Sequence, residues 1–485
     1  MIHALLLAAA LSPAALFAQE RAAVGSAWDG IVQITERGSY VAGGAPGVPY
    51  VSYVDARDGF SKLALGQDGG TMQGYDRTGS WQAADGLVQP VEDAATVASS
   101  ITAAYIARNG WWHPESDPAA FEYSGRRTVA ARAYDVVRVA PKGGDAVDVW
   151  LDAGTHLIAE LIERNAGNVT TTTYLGDYRS VDGVKYPYST VISDGNPKDD
   201  QVLHATSVAF ASGIAAADFA RPQNKRTGSI AGGISTSIPF EMDNADKGHI
   251  VLLVRVNGSR PLHMIFDTGG SNIVSTEVAR EIGLKGTGAT TAGGAGEGQV
   301  TVQTLSGVTM HLGDATLTSQ PFGILPLPRS LVHMTSRYTV DGVIGYEVLK
   351  NFVVSIDYVK KTLTLTEPDA FDAAGAGTPI HFASATIPVI PVTYDGVQGQ
   401  FMFDTGNAFY NTVSQTFLDA HSLAPATPGT VLVQSSGNLG GAFRPWLTRA
   451  KQIQIGPYRI DRPVFAVTNN AKGALAGTAF AGNLS

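Results

Sequence analysis

The chain contains one four-residue phrase twice, Phe266-Asp267-Thr268-Gly269 and Phe403-Asp404-Thr405-Gly406. The aspartates are 137 residues apart, about the length of one small lobe. Average residue usage gives a lone Asp-Thr-Gly by chance on the order of 0.1 times in a chain this long, so a single copy would be weak evidence. The flanks repeat too. Val251-Leu-Leu-Val-Arg-Val256, Asn257-Gly258 and Met264-Ile-Phe266 precede the first copy. Ile387-Pro-Val-Ile-Pro-Val-Thr-Tyr394, Asp395-Gly396 and Phe401-Met-Phe403 precede the second. Each set predicts a hairpin whose second strand ends in the aspartate. Glu277-Val-Ala-Arg-Glu-Ile-Gly-Leu284 and Phe417-Leu-Asp-Ala-His-Ser-Leu423 then predict a short helix after each aspartate. A duplicated lobe with an aspartate at each corresponding strand end implies two carboxylates facing across a pseudo-twofold axis.

Two such carboxylates cannot both ionise cheaply, so their titrations split and one proton is shared. The pair then supplies a base and an acid at once, as hydrolysis of an amide requires. Asp267 and Asp404 are therefore the candidate catalytic residues. Thr268 and Thr405 have hydroxyls able to tie one loop to the other. Gly269 and Gly406, lacking a Cβ, allow backbone N–H groups to approach the carboxylates.

On these motifs, residues 236–485 resemble the bacterial retropepsin-like aspartyl proteases, with two lobes fused in one chain. The first lobe also has that family's hydrophobic-hydrophobic-Gly mark, Val343-Ile344-Gly345, followed by Phe352-Val-Val-Ser-Ile-Asp-Tyr358. The resemblance implies aspartic-type endopeptidase activity on a peptide or protein substrate, with no cofactor. It also implies a flap between each aspartate and its distal glycine. Gly293, Gly294, Gly296 and Gly298 mark the candidate flap in lobe one, and Gly437, Gly440 and Gly441 that in lobe two. An ordinary hairpin tip accounts for either stretch equally well.

Lobe two departs from the pattern. Its expected hydrophobic-hydrophobic-Gly is Leu475-Ala476-Gly477, and no counterpart of residues 352–358 comes after it. A truncated lobe with an unpaired strand edge is expected. The first aspartate loop continues Gly270-Ser271 and the second Asn407-Ala408, so the two carboxylates are expected to have different neighbours.

Residues 19–225 have a different texture. Strand-like runs at 30–35, 134–139, 147–151, 157–162 and 169–174 alternate with Gly, Asp and Asn turns, as in an antiparallel sheet. One helix is predicted from Asp93 to Asn109, with Val97, Ile101 and Tyr105 on one face. Tyr174-Leu-Gly-Asp-Tyr-Arg-Ser-Val-Asp-Gly-Val-Lys-Tyr-Pro187 stands out, and on it residues 120–220 resemble the curved half-barrel of the lipoprotein-localisation carriers, which implies a lipid or acyl chain as a partner. Trp111, Trp112 and Trp150 are candidates to line such a pocket, against the plainer reading as core.

The fold expected is thus mainly β: an N-terminal curved antiparallel sheet or half-barrel with a helix, then a tandem pair of retropepsin-like β-barrel lobes, the second truncated. The expected division is a signal peptide at 1–18, the curved-sheet domain at 19–225, a linker at 226–235, lobe one at 236–366, a linker at 367–377 and an incomplete lobe two at 378–485. The apolar start, with small residues before Gln19, predicts export to the periplasm or medium and cleavage after Ala18; a buried first helix is the alternative. No other apolar run reaches membrane length.

A formal charge of −9 with no basic patch argues against nucleic acid as a partner. The absence of cysteine removes disulfides and thiol catalysis, and the ten histidines show no metal-ligand spacing, so no metal is expected. Two other functions remain open on the sequence: a catalytically impaired protease-like peptide-binding protein, or a periplasmic lipid- or lipoprotein-binding protein acting through the N-terminal domain.

Overall fold

The computed structural model describes residues 12–485 except 43–46, 67–70, 77–78, 85–86, 92–93, 165–169, 224–225, 245–246, 294–297, 374, 376, 384–386, 409, 424–430, 433–444, 471–474 and 477–479. Strands dominate. Thirteen of them between Gln33 and Ala211 form one antiparallel sheet. Each pairs with its neighbour along the chain, in two meanders joined by the helix Ala94–Ala107. The meanders meet where the first strand, Gln33–Ala42, pairs with the last, Gln201–Ala211. Val147–Asp152 shows why the sheet has a core face: Val147, Val149 and Leu151 are buried while the residues between them are not.

That face is covered by the helix Pro13–Val24 and by Tyr105 and Trp111. Ser12 caps the first helix through its hydroxyl, with Pro13 in the first turn. Leu16 and Phe17 are core residues, so the cleavage point expected after Ala18 falls inside this helix. In the helix Ala94–Ala107 the expected face is only partly right. Tyr105 is buried, but Val97 lies exposed.

The two C-terminal lobes are curved sheets that repeat one five-strand order. In lobe one it is Ala315–Leu325, Ile273–Ser275, Gly342–Ile344, Leu262–Phe266, Lys247–Val256. In lobe two it is Val464–Thr468, Asn411–Ser414, Gly482–Leu484, Val397–Phe403, Ile387–Tyr394. The predicted hairpins form in both. Asn257 and Gly258 have φ of 46° and 76°, and Asp395 and Gly396 have 47° and 87°. Positive φ at both central positions is the type I′ turn that Asn-Gly and Asp-Gly favour. The short helices also form, as Thr276–Glu281 and Gln415–Ala420, each capped by a serine hydroxyl, Ser275 and Ser414.

The expected gap in lobe two is not there. The Asp404 strand pairs in parallel with Gly482–Leu484, as the Asp267 strand pairs with Gly342–Ile344. Leu484 O accepts from the Asp404 N–H at 2.9 Å, and Ile344 O from the Asp267 N–H at 2.9 Å. The matching segment is therefore 482–484, not 475–477. Leu475 and Ala476 form a buried turn, and Gly477 lies outside the described residues. The strand Val353–Asp357 belongs to a separate three-stranded sheet with Ser235–Pro239 and Thr362–Thr366. It is not part of the sheet that carries Asp267. The stretch expected as a linker is partly structured too, since Gly228–Ile230 pairs with Ala315–Leu317 of lobe one.

Candidate active site

Each aspartate stands one residue beyond a strand whose preceding phenylalanine anchors it; Phe266 is fully buried. The next residues bind the two loops to each other. Thr268 Oγ1 donates to Phe403 O at 2.8 Å and accepts from the Thr405 N–H at 3.0 Å. Thr405 Oγ1 donates to Phe266 O at 2.7 Å and accepts from the Thr268 N–H at 3.0 Å. Four bonds, three of them buried and one part-buried, pair across a local twofold and lock the loops in one relative position.

The lock brings the carboxyls together. Asp267 and Asp404 lie close enough for a hydrogen bond between their side chains. Each carboxyl also accepts from its own loop: Asp267 Oδ1 from the Gly269 N–H at 2.9 Å, Asp404 Oδ1 from the Gly406 N–H at 2.8 Å. Burial holds the Asp267 carboxyl well above the ordinary carboxylate range, and the charge and hydrogen bond of Asp404 push it the same way. The N–H groups of Gly269 and Gly406 oppose that shift. Asp267 thus favours the protonated form. A neutral carboxyl beside a second one is the arrangement for shared acid and base work.

A third side chain reaches the pair. Asn483 Nδ2 donates to Asp404 Oδ2 at 2.7 Å. Further asparagines brace both loops. Asn272 Oδ1 accepts from the Gly345 N–H at 3.3 Å, and Asn411 Oδ1 accepts from the Ser485 N–H at 3.0 Å. Behind lobe one, Glu347 is buried, accepts from the Asn272 N–H at 3.2 Å and has its pKa pushed up to about 7 by burial. None of these four is evident from the Asp-Thr-Gly phrases. A signal for two of them was present, because Asn272-Ile-Val-Ser275 and Asn411-Thr-Val-Ser414 repeat the pattern Asn-x-Val-Ser. Asn483 stands where lobe one has Val343, so no repeat betrays it.

The flap candidates fare unevenly. Gly293 and Gly298 stand at the end of a hairpin in which Gly288–Gly293 pairs with the start of Gln299–Leu312; Gly294 and Gly296 lie outside the described residues. The N-terminal sheet touches this hairpin, with Gln201 Nε2 donating to Thr291 Oγ1 at 3.4 Å. In lobe two, Val431–Leu432 pairs with Leu447 and Trp446, but Gly437, Gly440 and Gly441 lie outside the described residues. Trp111 belongs to one core cluster, Trp112 packs against it, and Trp150 is not among its residues. Trp111 stacks on Phe17 at 5.3 Å in the core, Trp112 donates to Glu20, and Trp150 packs on Tyr134. Among the described residues no cluster of three or more His, Cys, Asp or Glu is placed to hold a metal ion. Among them, too, no helix is long and apolar enough to cross a membrane.

The aspartyl protease family model matches residues 252–348 and 390–480. No curated protein matches the chain in sequence. Several solved structures are similar. A retropepsin-like aspartic protease from Rickettsia conorii is 16% identical, covering 30% of this chain and 97% of its own, with a TM-score of 0.20. The aspartic proteinase from Irpex lacteus is 17% identical over 47% of this chain and 78% of its own, with a TM-score of 0.28. A putative outer membrane lipoprotein-sorting protein domain from Vibrio parahaemolyticus is 13% identical over 42% of this chain and 94% of its own, with a TM-score of 0.32. Over 252–348 and 390–480, the two stretches that hold its Asp-Thr-Gly loops, the chain resembles the aspartyl protease family.

Proposed function

We propose that the protein is an aspartic-type endopeptidase, with Asp267 and Asp404 as its catalytic pair. The observation that carries this reading is the reciprocal bonding of Thr268 and Thr405, which holds two carboxyls side by side on duplicated loops. A water between them loses a proton to the ionised carboxylate as its oxygen attacks the peptide carbonyl carbon. The neutral carboxyl gives its proton to the carbonyl oxygen, forming a gem-diol. Collapse then breaks the C–N bond, with a proton passing from the pair to the amine. The substrate is an extended peptide lying between the lobes, where a strand-like backbone finds hydrogen-bond partners. Gly293 and Gly298 border the hairpin we assign as the lobe-one flap.

The test is cleavage of a mixed peptide library by the full chain. Wild type cuts, and neither chelators nor thiol reagents stop it. Asp267→Asn and Asp404→Asn stay folded and are inactive. Turnover by either variant would rule out the shared-proton mechanism. We place the enzyme outside the cytoplasm, on the apolar composition of residues 1–18; the protein recovered only from the cytoplasm of its source would contradict this.

A further inference from the structure

The two lobes agree in strand order and loop bonding but differ beside the carboxyls, and one difference lies in the partner strand. In lobe one Val343 pairs with Ile265, two residues before Asp267. In lobe two the same register position, opposite Met402, holds Asn483. Val343 offers no hydrogen bond. Asn483 points its amide at Oδ2 of Asp404, 2.7 Å away. The amide stands with its nitrogen toward Asp404 and its oxygen away from it. Among the described residues no side-chain N–H or O–H outside the pair reaches Asp267 in the same way.

Asn483 is an expensive residue at this position. It is 5% exposed, in the middle of a sheet, and its own Oδ1 has no partner among the described residues. A buried amide with an unmet oxygen lowers stability, and an apolar side chain such as lobe one uses would avoid that. Packing therefore does not explain the asparagine, but its bond to Asp404 does. A donor favours the charged form of its acceptor, and a hydrogen bond to a charged group is the stronger kind.

We infer that Asn483 is a positioning residue that breaks the symmetry of the pair: by donating to Asp404 it keeps that carboxylate ionised and leaves the shared proton on Asp267. Asp404 is then the base that takes the water's proton, and Asp267 the acid that protonates the carbonyl oxygen. The assignment of steps rests on the peptidase reading. The placement of the proton does not.

The test uses full-length protein carrying 13C-labelled aspartate, with the Asp404 carboxyl signal identified by its loss in Asp404→Asn. Asn483→Leu keeps the shape and removes the donor. The acid-side titration midpoint of Asp404 should rise by about one unit, the effect of losing a hydrogen bond to a charged group. In cleavage assays the acid limb of the pH–rate profile should move by the same amount, with kcat affected more than KM. An unchanged midpoint in folded Asn483→Leu overturns the inference. The native protein gives a second measurement that needs no variant: the side-chain NH2 resonances of Asn483 should shift with pH in step with Asp404. Resonances that ignore that titration overturn it as well. If wild type cuts no peptide, the peptidase reading fails while both titrations still decide the role of Asn483.

Discussion

Gly406 faces Asp267 so closely that a Cβ on this glycine would lie 2.4 Å from the carboxyl carbon. The reverse pairing, Gly269 against Asp404, leaves 2.8 Å. Neither glycine has a positive φ, so space alone dictates both. Gly406→Ala should push Asp267 away from its partner and reduce peptide cleavage by at least a hundredfold, because a misplacement of about 1 Å is enough for that. Gly269→Ala should do the same more mildly. Circular dichroism would establish that the variants fold. Full activity in Gly406→Ala would mean that the two loops are not held as close as they stand here.

The threonine lock makes a separate claim about stability. Thr268 and Thr405 are 2% and 6% exposed. Thr268→Val strips partners from the Thr405 N–H and the Phe403 carbonyl, and Thr405→Val does so for the Thr268 N–H and the Phe266 carbonyl. Each buried group so orphaned costs about 1–3 kcal/mol, so each variant should lose a few kcal/mol in urea unfolding. Serine keeps the hydroxyl, and Thr268→Ser should lie within about 1 kcal/mol of wild type. Equal losses for serine and valine would assign the effect to packing instead.

The raised titration of Asp267 predicts opposite effects on stability and turnover. Its folded pKa lies above the unfolded value, so the contribution of its neutral form is fully present below the unfolded pKa and lost as pH rises through the folded one. Cleavage should fall over the same rise, as the shared proton leaves. Asp267→Asn remains neutral at every pH. It should melt at a higher temperature than wild type above the ordinary carboxylate range while being inactive. A melting temperature below that of wild type at pH 8 would count against a buried, proton-sharing carboxyl.

How much of the fold and site is legible in the sequence depends on what each motif encodes. Asp-Thr-Gly specifies a local turn, and Asn257-Gly258 and Asp395-Gly396 specify turns that need positive φ. Such local requirements survive in any sequence that keeps the fold. The partner of the Asp404 strand is misplaced by the apolar pattern because hydrophobic-hydrophobic-Gly is not the physical constraint there. The shared requirement is a glycine at the start of the partner strand, Gly342 or Gly482. A Cβ at these positions would lie 2.2 Å from Ile273 O and 2.0 Å from Thr412 O. Gly482 leads directly into Asn483-Leu484, so one buried polar residue hides the strand from an apolar pattern. Asn483 itself is illegible, since its role depends on a contact 79 residues away.

That glycine constraint can be tested directly. Gly482→Ala and Gly342→Ala should force backbone apart in the middle of each lobe, which costs more than the 1–3 kcal/mol or so of ordinary overpacking. Hydrogen exchange should show lost protection in Val397–Phe403 for Gly482→Ala and in Leu262–Phe266 for Gly342→Ala, each leaving the other lobe protected. Unchanged protection of Val397–Phe403 in Gly482→Ala would mean that 482–484 is not its partner strand.

The N-terminal sheet carries its own pH dependence, in Glu20. This carboxyl is 2% exposed on the helix Pro13–Val24 and accepts from Trp112 Nε1 at 2.5 Å. Burial pushes its pKa from 4.5 to about 8, against the opposing bond from Trp112. A folded pKa above the unfolded one gives stability that is complete below pH 4.5 and is lost as pH climbs to about 8. At pH 7 the loss is on the order of 3 kcal/mol. Glu20→Gln keeps an acceptor for Trp112 but cannot ionise. Urea unfolding followed by tryptophan fluorescence should therefore show wild type weakening between pH 5 and about 8 relative to Glu20→Gln. Parallel pH profiles for the two proteins would show that Glu20 is not buried against Trp112.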